Sequence, residues 1–101
     1  MRRLNVLVVG DDHDTVMNLG ILLRSEGINV SLATGAQQVP EATAEFQPDA
    51  VLLDVPKPAS AVAVGRALMQ CCGPHRPFLY HIQKPIDPDA VLKVVLAISP
   101  T

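Results

Sequence analysis

The sequence predicts an α/β protein with a parallel sheet of about four strands and helices on both faces. Short apolar runs alternate with longer segments whose apolar residues recur at helical spacing, in the order β-α-β-α-β-α-β-α. Such alternation produces parallel sheets whose connecting helices cover both faces. The chain has 101 residues, enough for one domain, and 49% of them are apolar, which excludes a disordered chain. We therefore expect residues 1–101 to form a single domain without an output domain.

Four apolar runs carry the strand prediction. Most are rich in Val, Leu and Ile, and they are bounded by Gly, Asp or Pro, which favours strands buried on both faces. The predicted strands cover residues 4–9, 28–32, 50–53 and 77–82.

Helical periodicity fills the intervals between the strands and follows the last one. Gly27 fits the end of the first helix, and the pair Gly73-Pro74 breaks the third. Asp87 is the predicted N-cap of the last helix, with Pro88 in its first turn. The predicted helical segments are 16–23, 35–46 (the weakest pattern), 62–69 and 88–96.

Composition excludes several classes of protein. A net charge of −2 without a basic cluster argues against a nucleic-acid binder. No apolar run is long enough to span a membrane or to serve as an export signal, so we expect a cytoplasmic protein with no membrane contact. Cys71 and Cys72 are adjacent and are the only cysteines, which argues against a disulfide framework or a cysteine-based metal site.

Charged residues stand where three of the predicted strands end. Asp11 follows the first strand, Asp54 ends the third, and Lys84 follows the fourth. Ligands of doubly wound sheets bind at these carboxyl ends, and carboxylates suit hard cations such as Mg²⁺. A carboxylate can also act as a nucleophile toward phosphorus, with metal and lysine neutralising the transferred group. Acids after a strand are also common helix caps, and capping is the preferred interpretation for Asp12 and Asp14.

Three segments together resemble the signature segments of response-regulator receiver domains from bacterial two-component systems. They are residues 6–12 (VLVVGDD), 51–58 (VLLDVPKP) and 84–87 (KPID). The resemblance covers nearly the whole chain as far as about Arg66 and resumes at Lys84. It implies a flavodoxin-like (CheY-like) doubly wound parallel sheet, truncated to about four strands.

The resemblance also implies roles for individual residues. Asp54 matches the aspartate that accepts a phosphoryl group, and Lys84 matches the lysine that binds that group. Asp11 matches a direct Mg²⁺ ligand, and Pro56 matches the position whose backbone carbonyl binds the metal. Asp12 matches the acidic residue that often follows the ligand pair and is a further candidate ligand.

The sequence departs from the family pattern in ways that bear on function. Gly10 stands where the family has a second metal-binding acid, so we expect weak Mg²⁺ binding that a Gly10→Asp substitution would tighten. No Ser or Thr clearly matches the family's hydroxyl switch. About one α-β unit is missing before Lys84, and the sequence leaves open whether residues 78–83 replace the family's fourth or fifth strand.

Two functions compete on these grounds. The first is a stand-alone receiver that accepts a phosphoryl group on Asp54, with Mg²⁺, from a histidine kinase or phosphotransfer protein and acts through a downstream protein partner. Such a chain is not an enzyme with a substrate of its own; at most it assists its own phosphorylation and dephosphorylation. The alternative is an atypical receiver-like interaction module that phosphorylation does not regulate. A flavodoxin-like cofactor binder is disfavoured because acids follow the first strand.

The uncharged strand at residues 78–82 predicts an exposed sheet edge and a homodimer through it.

Overall fold

The computed structural model describes residues 3–44, 46–54, 58–72, 77–82 and 86–98. Within this part of the chain, strands and helices alternate in the order that the sequence predicts. The elements are β1 (Asn5–Gly10), α1 (His13–Ser25), β2 (Asn29–Ala33), a 3-10 turn (Ala36–Gln38), α2 (Val39–Ala42), β3 (Ala50–Asp54), α3 (Pro58–Cys72), β4 (Phe78–His81) and α4 (Pro88–Leu96).

All strand pairs of the sheet are parallel, and the strand order is β2-β1-β3-β4. This confirms the predicted doubly wound sheet of four strands. Strand β4 pairs directly with β3, in the place that the fourth strand takes in the 2-1-3-4-5 order of flavodoxin-like folds. Residues 78–81 therefore take the fourth-strand position, and the described residues contain no strand beyond them.

Two apolar cores lie on the two faces of this sheet, because alternate strand residues point to opposite sides. One core joins the strands to α1 and α4, and the other joins them to α2 and α3. The first is built mainly from Val6, Val8, Val16, Leu19, Leu23, Ala50, Leu52, Ile82, Val91 and Val95. The second is built from Leu7, Val9, Ala33, Val39, Val51, Leu53, Val64 and Leu68. Strands β1 and β3 are buried on both faces, as their continuous apolar sequences predict.

Helix α1 ends as its sequence predicts. Gly27 adopts a positive φ of 79°, which glycine reaches without strain, and its N–H donates to the Arg24 carbonyl at 3.0 Å.

At the other end of the chain, the Asp87 carboxylate accepts hydrogen bonds from the N–H groups of Asp89 and Ala90. The predicted cap of α4 is confirmed.

The second helix is much shorter than the segment 35–46 that the periodicity predicts. A 3-10 turn occupies Ala36–Gln38, and α2 covers only Val39–Ala42. Pro40 has no N–H to donate to the Ala36 carbonyl, so an α-helix cannot run through it from upstream. Downstream, the Thr43 hydroxyl donates to the Val39 carbonyl at 2.8 Å, where the helix ends.

Helix α3 ends at Cys72, directly before the predicted break at Gly73-Pro74, which lies outside the described residues. None of the helices in the described ranges combines the length and apolar character that crossing a bilayer would require.

Candidate functional site

The predicted site residues that the structure describes come together at the carboxyl ends of β1 and β3. Gly10, the last residue of β1, is the register partner of Asp54, the last residue of β3. Asp11 follows Gly10 directly. Strand β1 lies between β2 and β3. The chain therefore passes from β1 to its neighbour β2 on one side, and β3 and β4 are then added on the other side of β1. This is the switch point at which doubly wound sheets bind ligands.

Asp54 is buried to an unusual degree for a carboxylate. Its side chain is 3% exposed, and it is the only polar or charged residue in the buried class among the described residues. Helix α3 begins four residues later, at Pro58, so Asp54 is not the residue that flanks and caps that helix. Burial of a charged group is unfavourable unless other groups compensate for the lost water. Asp54 is therefore a buried acid at the end of the sheet where ligands of doubly wound folds bind.

Asp11 has the opposite environment, because its side chain is exposed. It lines a cleft of about 330 Å³ together with residues 34–37, which follow β2, and with Ala63 and Val64 of α3. The sequence did not point to Thr34 and Gln37 as neighbours of the site. The available signal was their position after β2, whose carboxyl end lies at the same edge of the sheet as that of β1.

Asp12 is the N-cap of α1, as the capping interpretation predicts. One carboxylate oxygen accepts a hydrogen bond from the Asp14 N–H at 3.2 Å, and the other accepts one from the Thr15 hydroxyl at 2.6 Å. These bonds hold the carboxylate over the first turn of α1, and each oxygen keeps one lone pair that they do not use. Asp14 lies exposed in the first turn, where the helix dipole favours an acid.

The expectation that an acid at position 10 would tighten metal binding stays a prediction, and the environment of Gly10 adds a steric condition to it. A Cβ atom at Gly10 would lie 2.7 Å from Val16 Cγ2 and 3.1 Å from the Asp54 carbonyl oxygen. Val16 is fully buried and branched at Cβ, so it cannot easily turn away. Any side chain at position 10, including that of aspartate, must first displace part of the core beneath α1.

Asp11 follows the carboxyl end of β1 and Asp54 ends β3, so these two candidate carboxylates stand at neighbouring strand ends. In the described ranges, no three His, Cys, Asp or Glu side chains form a group that could hold a metal. Two carboxylates still fit Mg²⁺, which retains several waters and needs few protein ligands. Pro56 and Lys84, the predicted carbonyl ligand and phosphoryl-binding lysine, lie outside the described residues.

Comparison with solved structures identifies the fold. The chain superimposes on the chemotaxis response regulator CheY4 of Vibrio cholerae with a TM-score of 0.73 and 15% identity, covering 97% of this chain and 100% of that one. The receiver domain of sensor histidine kinase PA1611 from Pseudomonas aeruginosa matches with a TM-score of 0.70 and 16% identity, over 96% and 98% of the two chains. Its structure has a magnesium ion coordinated in the active-site cleft.

A third match comes from the Saccharomyces cerevisiae complex of the phosphotransfer protein Ypd1 with the receiver domain of the response regulator Ssk1. It has a TM-score of 0.71 and 19% identity and covers 92% of this chain and 86% of that one. No family model matches the sequence, and no curated protein does either.

The architecture and the position of the acids define the class: a doubly wound α/β domain with its candidate site at the strand switch point. Within that class, the fold is that of a CheY-like response-regulator receiver domain, as the resemblance of the three signature segments predicts.

Proposed function

We propose that this chain is a receiver-type signalling domain that accepts a phosphoryl group on Asp54. The observation that carries the proposal is a buried carboxylate at the end of a central strand, with a second carboxylate, Asp11, following its register partner Gly10. Neither acid directly precedes a helix, as Asp12 does. A carboxylate that can serve as a nucleophile gives a reason for the buried acid that fold stability alone does not.

The chemistry is a transfer from a phosphorylated histidine. An Asp54 carboxylate oxygen attacks phosphorus, a P–O bond forms, and the P–N bond breaks with its electron pair leaving on the imidazole nitrogen. Asp11 and Asp54 would hold Mg²⁺, with the Pro56 carbonyl as a third protein ligand. When bound, the ion supplies positive charge that offsets the charge of the transferring phosphoryl group. Lys84 would bind the same group, as in the family that the sequence resembles.

The partners follow from this chemistry. We propose a histidine kinase or a phosphotransfer protein as donor, a cytoplasmic setting, and a downstream protein that binds the domain according to its phosphorylation state. The contact between Ypd1 and the Ssk1 receiver supports a protein donor for a domain of this fold, and the magnesium in the PA1611 receiver supports the ion. The domain is a phosphoacceptor rather than an enzyme with its own substrate.

The direct test is the intact mass of the protein after incubation with Mg²⁺ and a small phosphodonor such as acetyl phosphate. Wild type is expected to gain one phosphoryl group, and Asp54→Asn none. Asp14→Asn is the matched control, because it removes an exposed acid three residues from Asp11 and is expected to be modified like wild type. Hydroxylamine should reverse the modification, since it cleaves acyl phosphates and leaves phosphate esters intact.

Two observations favour a second function, an interaction module that phosphorylation does not regulate. The packing of Val16 against Gly10 fills the space of the missing acid, and the Asp12 carboxylate is engaged as a cap. Under this alternative, Asp54→Asn has no effect on partner binding, and no donor modifies wild type. Absence of a mass increase with acetyl phosphate and with purified histidine kinases would replace the first function by the second.

A further inference from the structure

A cleft of about 410 Å³ lies at the end of the sheet opposite to Asp11 and Asp54. Its lining residues are Arg3, Arg24, Gly27, Ile28, Asn29, Val30 and Phe46. They precede β1 and β3, lie near the end of α1 or begin β2, whereas the candidate site stands where β1 and β3 end. Strand β1 has six residues and, at about 3.3 Å per residue, separates the two regions by roughly 15 Å. The cleft is therefore distinct from the site proposed above.

Two arginines give this cleft a positive charge. The side chains of Arg3 and Arg24 are both exposed, and none of the described residues that line the cleft is Asp or Glu. Arg3 makes no hydrogen bond or ion pair with any other residue in the described ranges. The fields of like charges add within a cleft that they share. The cleft is therefore expected to attract anions.

The Arg24 guanidinium is oriented by the edge of the sheet. It donates to the Val30 carbonyl at 3.2 Å, and this bond uses one of its five N–H groups. The other N–H groups can bind a ligand while the bond to Val30 is kept. A group that is oriented in advance loses less entropy on binding. Arg24 is therefore better prepared to bind an anion than an arginine that rotates freely.

The backbone of β2 adds a neutral donor beside Arg24. The Asn29 N–H donates to the Leu4 carbonyl at 3.0 Å, so residues 29, 31 and 33 bond toward β1. Along a strand of a parallel ladder, residues that bond to a given neighbour alternate with residues that do not. The Val30 N–H therefore points to the outer side of β2, as the Val30 carbonyl does. Strand β2 is the last strand on that side of the sheet in the described part of the chain.

The other walls of the cleft are partly apolar. Ile28 belongs to the first core and Phe46 packs against the second, so the fold fixes both side chains. A Cβ atom at Gly27 would meet no atom within 4 Å, so the cleft is open at that point. Its volume of about 410 Å³ lies in the range of roughly 300–1,000 Å³ that is usual for small-molecule sites. The cleft therefore suits a small anion that carries an apolar or planar part.

We propose that this cleft binds the phosphate group of a small organic phosphate. Guanidinium groups bind phosphate oxygens through paired hydrogen bonds, and the Val30 N–H supplies a further donor. A phosphate monoester carries about −1.5 to −2 charges at pH 7, which matches the two arginines. The organic part would contact Ile28 and Phe46. Protection of the β2 edge explains the bond from Arg24 to Val30, but it gives no role to Arg3.

NMR titration of the ¹⁵N-labelled full chain with 5′-AMP, inorganic phosphate and adenosine tests the proposal. The protein is unphosphorylated and the buffer contains no divalent cation, so neither phosphoryl transfer to Asp54 nor a metal at Asp11 contributes. 5′-AMP is expected to shift the Val30 amide and Arg24 Nε signals, with a dissociation constant in the millimolar range. Inorganic phosphate should shift the same signals at higher concentration, and adenosine should leave them unchanged.

Variants of the two arginines identify the site. Arg3→Gln and Arg24→Gln should each raise the dissociation constant for 5′-AMP at least about fivefold, because each removes charge-assisted hydrogen bonds. Arg24→Lys keeps the charge but loses the paired donors, so it should weaken binding nearly as much as Arg24→Gln. Arg66→Gln removes the same charge from an exposed position on α3 and is the matched control, with a change of less than about twofold. Thermal denaturation checks that each variant is folded.

A variant of Glu45 tests whether the arginines serve an acid of the chain itself. Glu45 precedes Phe46 and lies outside the described residues. Binding of 5′-AMP that appears only in Glu45→Gln overturns the proposal. So does a wild type whose Val30 amide does not respond to 5′-AMP, or an affinity that falls as much in Arg66→Gln as in the variants of the cleft. Equal affinity for inorganic phosphate and 5′-AMP would overturn the assignment of an organic ligand.

Discussion

Replacing Gly10 with alanine adds one carbon atom between the end of β1 and Val16 of α1. That carbon would sit 2.7 Å from Val16 Cγ2 and 3.2 Å from Asp54 Cβ, whereas carbon atoms in contact are separated by about 3.5–4.0 Å. Overpacking of this size in a core costs about 1–3 kcal/mol. The alanine recovers about 0.4–1 kcal/mol by restricting the unfolded chain, and Gly10 has no positive φ to forbid it.

The net expectation is a loss of about 1–2 kcal/mol in the free energy of unfolding, which lowers the melting temperature by roughly 5–15 °C. Urea and thermal denaturation measure both quantities. Gly65→Ala is the matched control: it lies inside α3, its Cβ meets no atom within 4 Å, and it should stabilise the fold by about 0.5–1 kcal/mol.

A double-mutant cycle identifies the cause. Val16→Ala alone destabilises the core, but on that background Gly10→Ala should cost at least about 0.5 kcal/mol less than it does in wild type, because the closest contact has been removed. A Gly10→Ala variant as stable as Gly65→Ala would contradict the predicted clash. The same holds if Val16→Ala leaves the effect of Gly10→Ala unchanged.

Two further predictions concern the acids near β1. Asp12→Ala removes the cap of α1 and should lower the free energy of unfolding by about 0.5–2 kcal/mol in thermal denaturation, without abolishing phosphorylation of Asp54; an unchanged stability would contradict the cap. Mg²⁺ at ten times its dissociation constant should stabilise wild type by about 1.4 kcal/mol, as measured by thermal denaturation with increasing Mg²⁺. Asp14→Asn should be stabilised equally and Asp11→Asn hardly at all. Equal stabilisation of all three proteins would remove Asp11 as a ligand.

The sequence was sufficient to predict the elements that depend on local pattern. Continuous apolar runs identified β1 and β3 as strands buried on both faces, and Asp87 followed by Pro88 identified the start of α4. The position of Asp54 at a strand end could be predicted for the same reason, since the apolar run stops there. The edge of the sheet that carries the site then followed from the parallel topology.

Other features depend on contacts between distant residues and could not be predicted in this way. The place of β4 beside β3 follows from strand order, which the apolar pattern of residues 78–81 does not encode. The closeness of Gly10 to Val16 depends on how far α1 approaches β1. In the sequence, Gly10 is only a missing acid, whereas the structure shows a close-packed position.

The close packing at Gly10 changes what a Gly10→Asp substitution is expected to do to stability and to cation binding. We expect an acid at position 10 to be accommodated best together with a smaller residue at position 16, because the new side chain and Val16 compete for one space. Under the proposed function, Asp11 and Asp54 would hold the cation with less negative charge than a receiver site that carries both acids after its first strand. If Asp54 is phosphorylated, Gly10→Asp should improve cation binding only when it is combined with Val16→Ala. A single Gly10→Asp substitution that tightens Mg²⁺ binding without loss of stability would show that α1 can move away from β1.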